Sequence, residues 1–259
     1  MMVTELARLW RFREVIQVLI GRELRARYRG AALGFLWSVL NPLIFMLVYV
    51  LLFSVYMRIE VDHYAAFLLC GMLPWTWFAG SLNEGSRAIL DNRALVKKVA
   101  LPSEIFPLAS IGSGLVHLLL SMPVLLILLL VLGVRLGWPV VLLPGVLLVQ
   151  FLFTFGATLI TSAVAVRFRD LLQIVPNLVM VWFFLTPVLY PASMVPPAFR
   201  PLLVLNPMAS LIGTYQDILF YQRAPDLLRL GLVGLLAVVL LVAGHAVFNA
   251  RRESFAEEL

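Results

Sequence analysis

The 259-residue sequence is short of most things a soluble enzyme uses. Cys70 is its single cysteine, which excludes an intrachain disulfide and a cysteine-based metal site. Its only lysines are Lys97 and Lys98, preceded by Ala94, Leu95 and Val96 rather than by a glycine loop. A P-loop needs its lysine within G-x-x-x-x-G-K-[ST], so the chain is not its own P-loop ATPase. The three histidines are scattered, and only His117 and His245 fall within long apolar runs. Acidic residues lie almost entirely in expected loops: Glu60, Asp62, Glu84, Asp91, Glu104, Asp170, Asp217 and Asp226. Without a carboxylate pair or metal cluster at membrane depth, a membrane hydrolase, a glycosyltransferase and an ion-coupled carrier are all disfavoured. No catalytic residue and no metal ligand is expected.

What the chain has is apolar length. It is 62% hydrophobic and 13% charged, with a mean hydropathy of +0.99, which places it among polytopic membrane proteins. Crossing a core of ~30 Å takes about 20 helical residues. Six segments qualify: 34–57, 64–83, 108–132, 140–166, 172–190 and 227–250. The net charge of +6 is not a nucleic-acid signal, because the arginines cluster at the ends of apolar runs. With the N-terminus inside, fifteen of the twenty basic residues fall in cytoplasmic segments, so both termini are expected in the cytoplasm. The first apolar run is too long for a signal-peptide core and lacks a cleavage site, so no cleaved leader is expected. The domain reading is a cytoplasmic interface segment (1–33), one six-span transmembrane domain (34–250) and a short cytoplasmic tail (251–259).

Three segments carry more than span length. In the N-terminal arm Phe12, Val15, Ile16 and Leu19 repeat at helical spacing beside Arg22, Arg25 and Arg29, which predicts an amphipathic interface helix. Arg22, Arg25, Arg27 and Arg29 are its headgroup candidates, with simple anchoring an equal reading. The loop 84–107 holds a short helical stretch in which Leu95, Val96 and Val99 form an apolar edge opposite Lys97 and Lys98. Such an edge fits a groove on a cytosolic partner. Finally, residues 182–207 are strongly apolar yet carry six prolines. Each interior proline removes a donor and bends the backbone, and broken backbone at membrane depth survives only inside protein or along a cavity. A gate or substrate path is the expected use.

The chain resembles the membrane subunit of a type-2 ABC exporter of cell-surface polysaccharide. Five stretches carry the likeness, in order: 22–49 (RELRARYRGAALGFLWSVLNPLIFMLVY), 64–82, 92–109 (NRALVKKVALPSEIFPLA), 167–176 and 183–219. The resemblance implies an all-α fold of six transmembrane helices with an N-terminal amphipathic interface helix and re-entrant external gate helices between spans five and six. It implies a homodimer in the bacterial inner membrane paired with two copies of a nucleotide-binding subunit, which holds the ATP and magnesium. The implied substrate is a lipid-linked glycan, such as an O-antigen on undecaprenyl pyrophosphate or a teichoic acid. Asn92, Arg93, Leu95, Val96, Lys97, Lys98, Val99, Pro102 and Glu104 then belong to the coupling segment. Phe183, Phe184, Pro187, Tyr190, Pro191, Pro196, Pro197, Asn206 and Pro207 belong to the external gate region, 191–226 and the end of span five. Leu101, Ser103 and Gln216 depart from the family pattern, the last standing where an arginine is common.

Aromatics suit a glycan path because sugar rings stack on them, although aromatics also belt interfaces and pack helices. Tyr49 and Tyr56 are candidates for channel lining, and Trp75 and Trp77 divide evenly between lining and packing. Asn41, Gln150, Asn177, Ser110 and Gly114 read as interhelical contacts. Export of a small amphiphile is the alternative within transport, while a glycan-assembly enzyme and a partner-free channel are the readings outside it.

Overall fold

The computed structural model describes residues 10–28, 30, 33–58, 61–98, 101–134, 136–252 and 254–258. All regular structure among them is helical. Four helices are long and apolar enough to cross a membrane: α3 (Tyr64–Asp91), α5 (Ile105–Val131), α6 (Leu143–Arg167, with a 3-10 turn from Trp138) and α10 (Leu227–Arg251). The first and fifth expected spans are shorter helices. α2 (Trp37–Tyr49) continues as a π-helical stretch, Val50–Tyr56, and α7 (Leu171–Phe184) stops after 14 residues. At 1.5 Å per residue α7 reaches only about 21 Å. Pro187 and Pro191 prevent its continuation to Tyr190.

α3 is the centre of the bundle. It packs against α5, α6, α7 and the short helix α9 (Pro207–Leu219), and most of it is buried. It also runs eight residues further than its apolar stretch predicts, so the loop expected from residue 84 shrinks to 92–104. Small residues explain the extension. Gly85, Ser86 and Ala88 are buried, and a Cβ on Gly85 would strike Thr158 of α6, so the polar end of α3 still packs closely. Glu84 and Asp91 are therefore helical rather than loop residues.

Close backbone approach recurs. α6 and α10 meet at Gly156 and Gly244: a Cβ on Gly244 would collide with the Gly156 carbonyl oxygen, and one on Gly156 would lie 2.6 Å from the Leu240 carbonyl carbon. In lipid, where helices gain little from burying apolar surface, such contact supplies the packing. The amphipathic helix α1 (Arg13–Tyr28) uses the same device. Ile20 Cδ1 sits 2.6 Å from where a Cβ on Gly112 of α5 would be. The Ser110 hydroxyl donates to Glu23 Oε1 at 3.0 Å, and the Arg22 guanidinium donates to Asn92 Oδ1. The predicted interface helix is thus fastened to the bundle by both its apolar and its polar strip.

The residues read as interhelical contacts divide. Gln150 of α6 donates to the Pro74 carbonyl of α3 at 2.8 Å, and Gly114 makes room for the Trp77 ring. Asn177 instead donates to Gln173 of its own helix at 2.9 Å, next to the turn that Pro176 disturbs. His245 pairs with Asn249 one turn along α10 at 2.7 Å.

Candidate functional site

Beyond Phe184 the chain leaves helical geometry, and its carbonyls need partners from elsewhere. Side chains supply them. Tyr190 Oη donates to the Phe184 carbonyl at 2.9 Å, and Asn206 Nδ2 to the Leu185 carbonyl at 3.2 Å. Gln216 Nε2 donates to the Pro187 carbonyl at 3.0 Å, and Tyr64 Oη to the Leu189 carbonyl at 2.7 Å. Four carbonyls in six residues are caught by side chains, and Thr186, Pro187, Val188 and Leu189 between them are buried. This is how the proline-rich segment keeps a broken backbone inside the protein.

Asn206 is the hub of that arrangement. Its Oδ1 accepts from the backbone N–H of Met208 and Ala209, capping α9, and from the Trp182 indole at 2.8 Å. Its Nδ2 also reaches Thr186 Oγ1 at 3.1 Å. The half-buried Asn206 therefore joins the end of α7 to the start of α9. α9 itself is deeply embedded, with Leu211, Ile212, Tyr215 and Ile218 fully buried. Between the loop and α9 run two 3-10 turns and α8 (Arg200–Leu205), where Pro196 and Pro197 are exposed. Pro191 is buried and Pro207 opens α9 at a position where a missing N–H costs nothing. Phe183 packs on Phe184 and Trp75, whereas Phe184 is 54% exposed.

The second candidate region sits at the other end of α3. α4 (Arg93–Lys98) follows directly, and the Asn92 carbonyl accepts from Leu95 and Val96. Lys97, Lys98 and Arg93 are exposed, and Leu95 and Val96 are half-buried against the core. Asn92 is not on the exposed edge: it is buried, ends α3, and holds Arg22. Pro102 and Glu104 are buried as well, with Arg252 4.0 Å from the Glu104 carboxylate. The exposed part of the segment is thus 93–98. Val99 and Arg29 lie outside the described residues, as does the side chain of Arg27. Arg25 is exposed.

The aromatic candidates separate clearly. Trp75 and Trp77 are 4% and 2% exposed, and Trp77 donates to the Ile111 carbonyl at 3.1 Å, so within the protomer both pack helices. Tyr49 stacks on Phe45 and meets Phe53 and Phe183 at a tilt, and Tyr56 is 70% exposed. Sequence reasoning passed over Tyr64 and Gln216 as tethers. Gln216 was visible only as a departure from the expected arginine, and Tyr64 only as the first residue of a span.

The non-helical segment held by side chains thus lies at one end of the long buried helix α3, and the exposed basic helix α4 follows at its other end. Residues 14–220 match the family model for the ABC-2 type transporter membrane domain. The chain belongs to the ABC-2 type transporter family. It is 44% identical over its full length to the O-antigen export system permease protein RfbA of Myxococcus xanthus, covering all of that protein. It is 34% identical to the O-antigen export system permease RfbA of Klebsiella pneumoniae, over 95% of each chain. A more distant relative is the polysialic acid transport protein KpsM of Escherichia coli, 22% identical over 92% of this chain and 94% of that one.

Proposed function

We infer that this ABC-2 permease is the membrane subunit of an ATP-driven exporter of cell-surface polysaccharide. The observation that carries the reading is full-length likeness to a permease named for O-antigen export, at 44% identity over all of both chains. The active unit on this reading is a homodimer in the inner membrane with two cytosolic ATPase subunits. Each protomer crosses six times, α2 and α7 being the short spans, and keeps both termini in the cytoplasm. The glycan travels on a lipid carrier.

The mechanism follows from α3. At 1.5 Å per residue its 28 residues span about 42 Å. Asn92 and α4 stand at the cytoplasmic end, where the ATPase would press, and Tyr64 holds the Leu189 carbonyl at the other. Gly71 along the way leaves room for Gln216, which holds Pro187. Displacement of α4 is thereby delivered as displacement of Tyr64 and Gln216. The proline loop loses partners for its carbonyls, and that segment gives way for the polymer.

The test is ATPase turnover of the purified complex in nanodiscs with lipid-linked glycan from the source cells. Stimulation by that glycan, and none by small amphiphiles, is expected. Stimulation by amphiphiles alone would replace the reading with small-molecule export, and sugar transfer by the isolated chain would replace it with an enzyme.

A further inference from the structure

A second polar site lies against the gate loop and shares Pro187 and Gln216 with the tethering. A cavity of about 380 Å³ opens between α9, the loop 187–193 and the start of α10. This is within the roughly 300–1,000 Å³ common for small-ligand sites. Its floor is one face of α9, where Ser210, Gly213 and Asp217 recur at helical spacing and are only half-buried. Gly213 matters most: a Cβ there would meet nothing within 4 Å, so the space above it is open.

The rim is charged but balanced. Arg223 sends Nε and its terminal nitrogen to Asp217 Oδ1 at 2.8 and 2.7 Å. Arg229 Nε lies 3.0 Å from Asp226 Oδ2. Tyr221 lines the same cavity with the Arg223 guanidinium 4.9 Å above its ring. Two carboxylates and two guanidiniums cancel, so the site has no net attraction for a phosphate or a metal ion. What it offers instead is a dense set of fixed donors and acceptors. Burial raises the Asp217 carboxyl above its ordinary range, against the opposing pull of Arg223, so this acceptor is already partly stripped of water. Paired carboxylate and guanidinium groups around a small-residue floor match vicinal hydroxyls, which donate to one and accept from the other.

We propose that this groove is a docking subsite for an uncharged sugar unit of the exported chain, next to the gate and outside the conduit. The proposal rests on the polysaccharide-export reading, which places α9 and the 187–193 loop on the release side. A sugar held there keeps the emerging polymer from sliding back while the loop recloses.

The experiment uses the full permease–ATPase complex in nanodiscs. The probe is carrier-free oligosaccharide released by mild acid from the source cells' surface polysaccharide, followed by saturation-transfer NMR, with inorganic phosphate as a competitor. Gly213→Leu fills the groove from a position with free space, and Gly213→Ala leaves most of it open and serves as the folding control. Expected are at least tenfold weaker oligosaccharide binding in Gly213→Leu, unchanged binding in Gly213→Ala, no competition by phosphate, and basal ATPase equal in all three. Asp226→Asn gives an independent arm, since asparagine still caps α10 but no longer pairs with Arg229, and binding should again fall several-fold. Equal binding in Gly213→Leu and wild type overturns the proposal, as does displacement by phosphate. Wild-type complex that exports glycan in cells while binding no oligosaccharide at this site also overturns it, with the export reading intact. A wild-type complex that exports no glycan removes the export reading itself, and the proposal with it.

Discussion

The indole N–H of Trp182 donates to Oδ1 of Asn206, 24 positions along the chain, at 2.8 Å, closing a loop that contains five of the six prolines in 182–207. The same oxygen caps α9. One side chain thus ends one helix's neighbourhood and begins another's, and the segment between them is held at both ends.

Asn206 can be dissected. Asn206→Asp keeps the cap and the Trp182 bond but loses the donors to Leu185 and Thr186, while Asn206→Ala loses all of them. A lost cap costs about 1 kcal/mol, so the alanine variant should unfold at lower temperature than the aspartate variant. Both should pass ions through proteoliposomes faster than wild type. A tight membrane in both would remove the lid role from this segment.

Tyr64→Phe removes a single hydroxyl and leaves the Leu189 carbonyl buried without its donor. An unmade buried hydrogen bond costs about 1–3 kcal/mol. With the ring still packed on Phe53 and Phe67, the protein should fold. Basal ATPase should persist while glycan export falls several-fold, and retained export would mean that α3 does not drive the loop.

Replacing Lys97 and Lys98 together with glutamate alters only exposed side chains of α4. The variant should reach the membrane normally, yet pull down less ATPase subunit or hydrolyse ATP without exporting glycan. Normal export would show that charge at this helix plays no part in coupling.

Gly156→Leu and Gly244→Leu force side chains into a place where backbones touch. Overpacking costs about 1–3 kcal/mol where neighbours can shift, and here the neighbour is main chain. Either variant should show a markedly lower midpoint for detergent-solubilised unfolding, whereas Gly145→Leu, which meets open space, should not.

Much of this was legible from residue patterns. Apolar length placed α3, α5, α6 and α10, and the run of prolines announced a non-helical stretch after Phe184. The end of α3 was not legible, because Asn83–Asp91 is polar by composition and helical only through small residues that fit against α6. Trp75 and Trp77 gave no sign of their side, since an aromatic in a span reads alike whether it faces a path or a neighbour. The tethers were hardest. Gln216 and Tyr64 act on carbonyls 29 and 125 residues away, and nothing local marks a side chain for so distant an acceptor.

Where Gly156 meets Gly244 there are no side chains to rearrange, so α6 and α10 have no second way of fitting together. They behave as one keel. Any change of shape during a transport cycle must then be borne by the rest of the protomer. α2 is suited to it, with Met46 its one buried hydrophobic residue among those described. Export on such a frame is a movement of thin walls against a fixed beam, which limits how many contacts each stroke has to break and remake.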